Sequence, residues 1–278
     1  MQPPSVPISY VILLLDIAES LNVDRMSLLK GAGISADILT SHDARVSLLG
    51  EYAKLCRLAL KLTREPALAY EFGLRSTLTT HGILGFGLMS QSTIRDAFEF
   101  AAKFGAVLRM PAWSLKFSIT EDYAIITGTE AVSHGDLRRF SCEQLLVSAA
   151  SIVYHLLPNH PEIELYFDHS MPPYHHRYAN WMPLTFFNSG KTEVRIPAKY
   201  LDLPLRSADL VAAKLAEREC QRELEQISKE NNVVELVRSI LANCGLNFPS
   251  QGEVANHLCC SSRTLSRNLA EYGTSYRQ

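Results

Sequence analysis

The stretch 249–273 constrains this chain more than any other, because its spacing allows few arrangements. Ser250 stands where a side-chain oxygen caps a helix start, and Val254, Ala255 and Leu258 follow as one apolar face at helical spacing. Cys259, Cys260 and Ser261 predict a turn of three residues. A second helical run opens at Ser262, with Leu265 and Leu269 at i and i+4. Two short helices joined by a three- or four-residue turn form a helix-turn-helix, whose second helix is suited to the major groove of DNA.

The face opposite the two leucines fits that use. Turning about 100° per residue from Leu265 places Arg263, Thr264, Arg267 and Glu271 outward, with Ser266 on the flank. Arginine makes bidentate bonds to guanine, and two arginines one helical turn apart reach successive base edges. On spacing alone, a two-helix corner with solvated arginines competes with this reading. The wider string favours the first. Ser261-Ser262-Arg263-Thr264-Leu265-Ser266-Arg267-Asn268-Leu269, followed by Glu271-Tyr272-Gly273-Thr274-Ser275-Tyr276-Arg277, resembles the first helix-turn-helix of the AraC/XylS family of bacterial transcription regulators.

That resemblance implies a cytoplasmic, dimeric regulator of transcription whose partners are operator DNA, a small-molecule effector and RNA polymerase, with no cofactor and no catalytic residues. Carried over position by position, Arg263, Ser266 and Arg267 correspond to places from which family members touch bases. Ser262, Thr264 and Asn268 complete the expected DNA-facing set. The family's DNA-binding domain has a second helix-turn-helix beyond a linker helix, whereas this sequence runs to Gln278, barely into that linker. The expectation is therefore a truncated form of a longer regulator. The alternative is a sensing and dimerisation module that cannot occupy DNA because the second unit is absent.

A chain of 278 residues suits one large and one small domain. Apolar residues at 47% and charged ones at 20% are ordinary for a globular protein and exclude long disorder. The net charge of -2 gives no global attraction to nucleic acid. Within 232–278 four Arg stand against three Glu, so DNA binding by this part alone is expected to be weak and salt-sensitive. The six cysteines, Cys56, Cys142, Cys220, Cys244, Cys259 and Cys260, form no C-x-x-C pair and read as small buried residues in a reducing compartment. The apolar start, Val11 to Leu15, is cut by Asp16 and lacks a basic flank, so it predicts neither a signal peptide nor a membrane span.

From the start, helices are expected over 9–21, 24–30, 47–63 and 66–75, the third carrying Leu48, Tyr52, Leu55, Ala59 and Leu62 on one face. The segment His81-Gly82-Ile83-Leu84-Gly85-Phe86-Gly87 has no dinucleotide spacing and predicts close packing through small residues. An amphipathic helix then buries Ile94, Ala97, Phe98, Ala101 and Leu108. Here too the chain resembles the family: the turn His81-Gly82-x-x-Gly85, then Ser92-Thr93-x-x-x-Ala97-Phe98, looks like the arabinose-binding-type sensing domain that a subgroup carries. Trp113, Leu115, Phe117 and Ile119 alternate with polar residues and predict a hairpin with 123–129. A buried helix over 136–157, a strand at Ile163, Leu165 and Phe167, a short helix over 172–181 and a second hairpin over 184–196 complete the pattern.

The expected architecture is an α+β sensor domain followed by an all-α partial helix-turn-helix domain. Residues 1–208 form the sensing and dimerisation part, 209–231 a helical linker, and 232–278 the first half of the DNA-binding domain, opening with a helix over 232–243. A sensor holds its ligand in a mostly apolar cavity with a few polar anchors. Arg75, His81, Arg109, Trp113, Arg138 and Tyr154 are candidate effector contacts by residue type and expected proximity.

Other chemistry lacks its signature. Gly190-Lys191-Thr192 ends like a phosphate-binding loop, but position 185 is Thr185 where that loop needs glycine. His155, His160, His169, His175 and His176 lack the spacing of a zinc site. Glu162, Glu164 and Asp168 alternate with Ile163, Leu165 and Phe167, which predicts the solvated face of a strand instead of an acid/base pair. No serine-hydrolase elbow occurs, and a metabolic enzyme with a helical corner is the remaining rival.

Overall fold

Apolar periodicity from Ile8 onward sets up the first layer. The computed structural model describes residues 4–41, 43–157, 162–230, 237, 240–241, 249–258, 260–271 and 274–276, the side chains of 228–230, 257 and 271 excepted. The chain divides into two compact units, one of Ser5–Cys220 and a second that takes in Gln221–Gln278. In the first, β1 (Ser5–Pro7) pairs antiparallel with β2 (Arg45–Ser47). Between them lie α1 (Ile8–Ser20), which buries Val11, Leu14, Leu15 and Ile17, and α2 (Arg25–Ala32). Asp24 caps α2 by accepting from the Ser27 amide, and Gly33 ends it in the left-handed conformation at φ 77°, where a side chain is disfavoured.

The single helix expected over 47–63 is instead a π-helical turn, Leu48–Tyr52, running into α3 (Ala53–Thr63). Its buried stripe is centred on Leu55, Cys56 and Ala59, which leaves Leu62 on the stripe's edge and 46% exposed. The next helices meet through small residues. In α4 (Leu68–Arg75), a Cβ on Gly73 would stand 2.5 Å from Val147 Cβ, so the helix carrying Val147 lies directly against it. In α5 (Ile83–Ser90), a Cβ on Gly85 would stand 1.7 Å from the Leu78 carbonyl oxygen, and one on Gly87 would strike the Phe100 ring at 2.6 Å. Thr93 and Asp96 close a reciprocal capping box at the start of α6 (Ile94–Arg109).

The period-two run folds as expected into β3 (Trp113–Ile119) and β4 (Tyr123–Glu130), in register from Trp113 opposite Glu130 to Ile119 opposite Ala124. Ile119, next to the turn, is 46% exposed and not in the core. Helix α7 (Arg138–Leu156) is buried on most sides, its polar Glu143, Gln144, Ser148 and Ser151 included. Strands β5 (Glu164–Tyr166), β6 (Leu184–Phe186) and β7 (Glu193–Pro197) complete a five-stranded sheet of order β3-β4-β7-β5-β6.

The second hairpin expected over 184–196 does not form. β5 lies between β6 and β7, parallel to the first and antiparallel to the second. The link past β5 is held by amides of Asn188 and Ser189 donating to the carbonyls of His169 and Phe167. The helix expected over 172–181 shortens to a 3₁₀ turn, Pro173–Arg177. Asp168 is no solvated-face residue: its carboxylate pairs with the Arg138 guanidinium.

Helix α8 (Leu210–Glu230) follows, burying Ala216 and Cys220 within the first unit. In the second unit, Ser250 and Glu253 form a capping box at the helix Gln251–His257. The helix Ser262–Glu271 comes next. Val237, Val254, Ala255, Leu258, Leu265 and Leu269 make its core, with Ile240, Leu241, Cys260 and Tyr276 packed against them. Of the helix expected over 232–243, Val233 and Leu236 lie outside the described residues, as do Cys244 and Cys259. The first unit is α+β and the described part of the second is all-α. Among the described residues no helix is long and apolar enough to cross a membrane.

Candidate functional site

Between α5, α6, α7 and strands β3, β4 and β7 the first unit leaves a largely apolar cavity. It exists because α6 offers small residues, Ala97, Ala101 and Gly105, where larger ones would fill the space. The centre of a water molecule can range over about 90 Å³ of it, several times the roughly 15 Å³ one water requires. The walls are carbon, from Leu84, Leu88, Phe98, Leu115, Ile126 and Leu145 among others.

One corner is polar. His81 Nδ1 lies 2.8 Å from the Tyr10 hydroxyl, and the Arg109 Nε donates to the His81 carbonyl oxygen at 2.8 Å. A second guanidinium nitrogen of Arg109 donates to the Leu108 carbonyl at 2.9 Å. His81 is only 4% exposed, and its Nε2 is buried with no hydrogen-bond partner. Burial, then the neighbouring Arg109 charge, pushes the ring's pKa down to about 3, so the imidazole is neutral near pH 7. Tyr10 and Arg109 also border a smaller cavity that Tyr52, His134 and Gln144 line, where Gln144 donates to the Tyr52 hydroxyl at 2.8 Å.

Of the six candidate effector contacts, the fold brings His81 and Arg109 together on this wall. It does not bring the other four there. Arg75 is at the surface, paired with Glu71 at 3.1 Å and donating to Ser20. Trp113 is buried with its indole N–H donating to the Ser141 hydroxyl at 2.8 Å. Arg138 is taken up by Glu130 and Asp168, and Tyr154 is a half-buried residue of α7 outside the lining. Tyr10 and Ser148 line the cavity and escaped sequence reasoning. Tyr10 stands in a dense apolar run that reads as core, and Ser148 is one of several small polar residues on a buried helix.

In the second unit the helix Ser262–Glu271 buries Leu265 and Leu269 and leaves Ser262, Arg263, Ser266 and Arg267 exposed. Thr264 and Asn268 are half-buried. Neither Arg263 nor Arg267 has an ion-pair partner among the described residues. The Ser266 hydroxyl accepts from Gln251 Nε2 at 2.6 Å, and Gln251 also donates to the Ser262 carbonyl, so the first helix grips the second by its flank. The Ser261 hydroxyl accepts from the Thr264 amide at 3.1 Å and caps the second helix. Cys56, Cys142 and Cys220 are buried free thiols, Cys260 is half-buried, and no cluster among the described residues could hold a metal ion.

Residues 23–205 match the model of the arabinose-binding domain found at the N-terminus of AraC transcription regulators. The chain belongs to this family. The AraC-family chain is 28% identical over 275 residues to the ornithine utilization regulator of Pseudomonas aeruginosa strain PAO1, covering 98% of this chain and 80% of that one. It is 26% identical over 280 residues to an uncharacterized HTH-type transcriptional regulator of Mycobacterium tuberculosis, with the same coverage. Its fold resembles that of the transcriptional regulator CdpR from Pseudomonas aeruginosa, at a TM-score of 0.52 and 19% identity over 92% of this chain and 79% of that one. The matched residues include the whole sheet, and every cavity-lining residue but Tyr10.

Proposed function

We propose that this AraC-family chain is a sequence-specific DNA-binding regulator, controlled by a small effector held in the cavity of its first unit. The observation that carries the reading is the helix Ser262–Glu271, with two guanidinium groups one turn apart on its open face and two leucines buried beneath them. Such a face offers bidentate donors to guanine at adjacent positions in the major groove. Ser262, Thr264, Ser266 and Asn268 flank the arginines and supply phosphate or base contacts. Operator DNA, a homodimer and contact with RNA polymerase belong to the same reading as expectations from the family, and no catalytic step is part of it.

An effector alters regulation only by binding one arrangement of the chain better than another, and the segment 209–232 is the covalent route for that preference. Fluorescence anisotropy with an operator-length duplex tests the DNA reading. Arg263→Ala and Arg267→Ala are each expected to cost about 1–3 kcal/mol on the cognate sequence and much less on an unrelated one. Affinities unchanged by both substitutions would remove the reading.

A further inference from the structure

The cavity is uneven in its chemistry, and that unevenness selects a class of ligand. Tyr10, His81, Arg109 and Ser148 are the polar residues of its lining, and the rest of the wall is apolar. Ser148 is already engaged, donating to the Ser76 hydroxyl at 3.3 Å. The other three are joined to one another: Tyr10 to His81 Nδ1, and Arg109 to the His81 carbonyl, each at 2.8 Å. Polar recognition is therefore gathered at one end of a carbon-walled space.

At that end His81 carries the open valence. Its Nδ1 is held by Tyr10, while Nε2 is buried without a partner. A phenol is far more acidic than a neutral imidazole N–H, so the favoured pair has the Tyr10 hydroxyl donating to Nδ1, which leaves the ring proton on Nε2. The buried Nε2–H then calls for an acceptor. The Arg109 guanidinium, 5% exposed beside the same corner, adds positive potential and favours an anionic acceptor over a neutral one.

We propose that the cavity binds an amphiphile with one anionic head and an apolar tail, a medium-chain carboxylate, its head accepting from His81 Nε2–H beside Arg109 and its tail lying against Leu84, Phe98 and Leu145. This rests on the reading of the cavity as the effector site. The space admits an alkyl tail of several carbons, since the centre of a water molecule can range over about 90 Å³ of it. A sugar fits the wall poorly, because each hydroxyl placed against carbon gives up its water without replacement. An amino acid with a second ammonium group meets the same walls with a charge that nothing there neutralises.

Isothermal titration of the full chain with octanoate, 1-octanol, L-ornithine and L-arabinose tests the assignment. Octanoate is expected to bind at least about tenfold tighter than octanol, with neither polar probe binding at millimolar concentration. Ala149→Phe, which fills the tail space, abolishes octanoate binding. His81→Phe keeps the ring's bulk, removes the donor and brings octanoate down to the affinity of octanol. If that buried substitution fails to fold, judged by circular dichroism, Ala149→Phe still decides. Equal binding of octanoate and octanol overturns the anionic head, and octanoate binding untouched by Ala149→Phe overturns the location. Binding of ornithine or arabinose that Ala149→Phe abolishes overturns the ligand class and leaves the effector site standing. No binding of any probe overturns the carboxylate. If Ala149→Phe then also leaves regulated transcription in the cell unchanged, the reading of the cavity as an effector site falls with it.

Discussion

Gly85 and His81 show what single residues contribute. A methyl group on Gly85 would overlap the Leu78 carbonyl oxygen at 1.7 Å, a backbone atom that cannot rotate aside. Gly85→Ala is expected to lower the unfolding free energy by about 3 kcal/mol, an overpacking cost at the upper end of the usual range, and urea titration measures it. His81 supplies a pH dependence with a defined sign. Its pKa falls from 6.5 to about 3 on burial, so below pH 6.5 the unfolded ring takes up a proton that the folded ring refuses. Stability from this residue is full above that value and is lost as pH falls through the window, at about 1.4 kcal/mol per pH unit. His81→Phe lacks this loss, so the stability gap between wild type and variant should shift in the variant's favour by about 2 kcal/mol from pH 7 to pH 5. A gap independent of pH would contradict the neutral buried imidazole.

Elements carried by a strong local period were legible, and those fixed by long-range pairing were not. The helix Gln251–His257 could be placed from Ser250 and its apolar face, and the structure adds the reciprocal bond from Glu253 that completes a capping box. Ser250→Ala is therefore expected to destabilise the second unit by about 1 kcal/mol, read as earlier loss of helical signal in thermal unfolding, with the first unit's transition unchanged. β3 and β4 announced themselves by alternation and a three-residue turn. β6 and β7 looked like a hairpin for the same reason. Only the insertion of β5 between them, a contact between distant parts of the chain, prevents it. The cavity was legible in part. His81 and Arg109 are residues of unusual type in apolar surroundings, whereas Arg138 has the same sequence appearance but is neutralised by Glu130 and Asp168, which lie 8 and 30 residues from it. Charge pairing across such separations leaves no local signal.

At the scale of the whole molecule, one chain joins a carbon-walled cavity with a polar corner to a helix that presents two arginines. The family match covers the first of these, and the string around Arg263 and Arg267 carries the second. Coupling between them is the central claim, and it is a free energy that can be measured without knowing its route. The direct measurement is the affinity of the full chain for an operator duplex, with the cavity empty, occupied by its ligand, and filled by Ala149→Phe. Occupation is expected to change that affinity about 5- to 150-fold, with the ligand's effect absent in Ala149→Phe. An operator affinity identical with and without bound ligand would contradict the account.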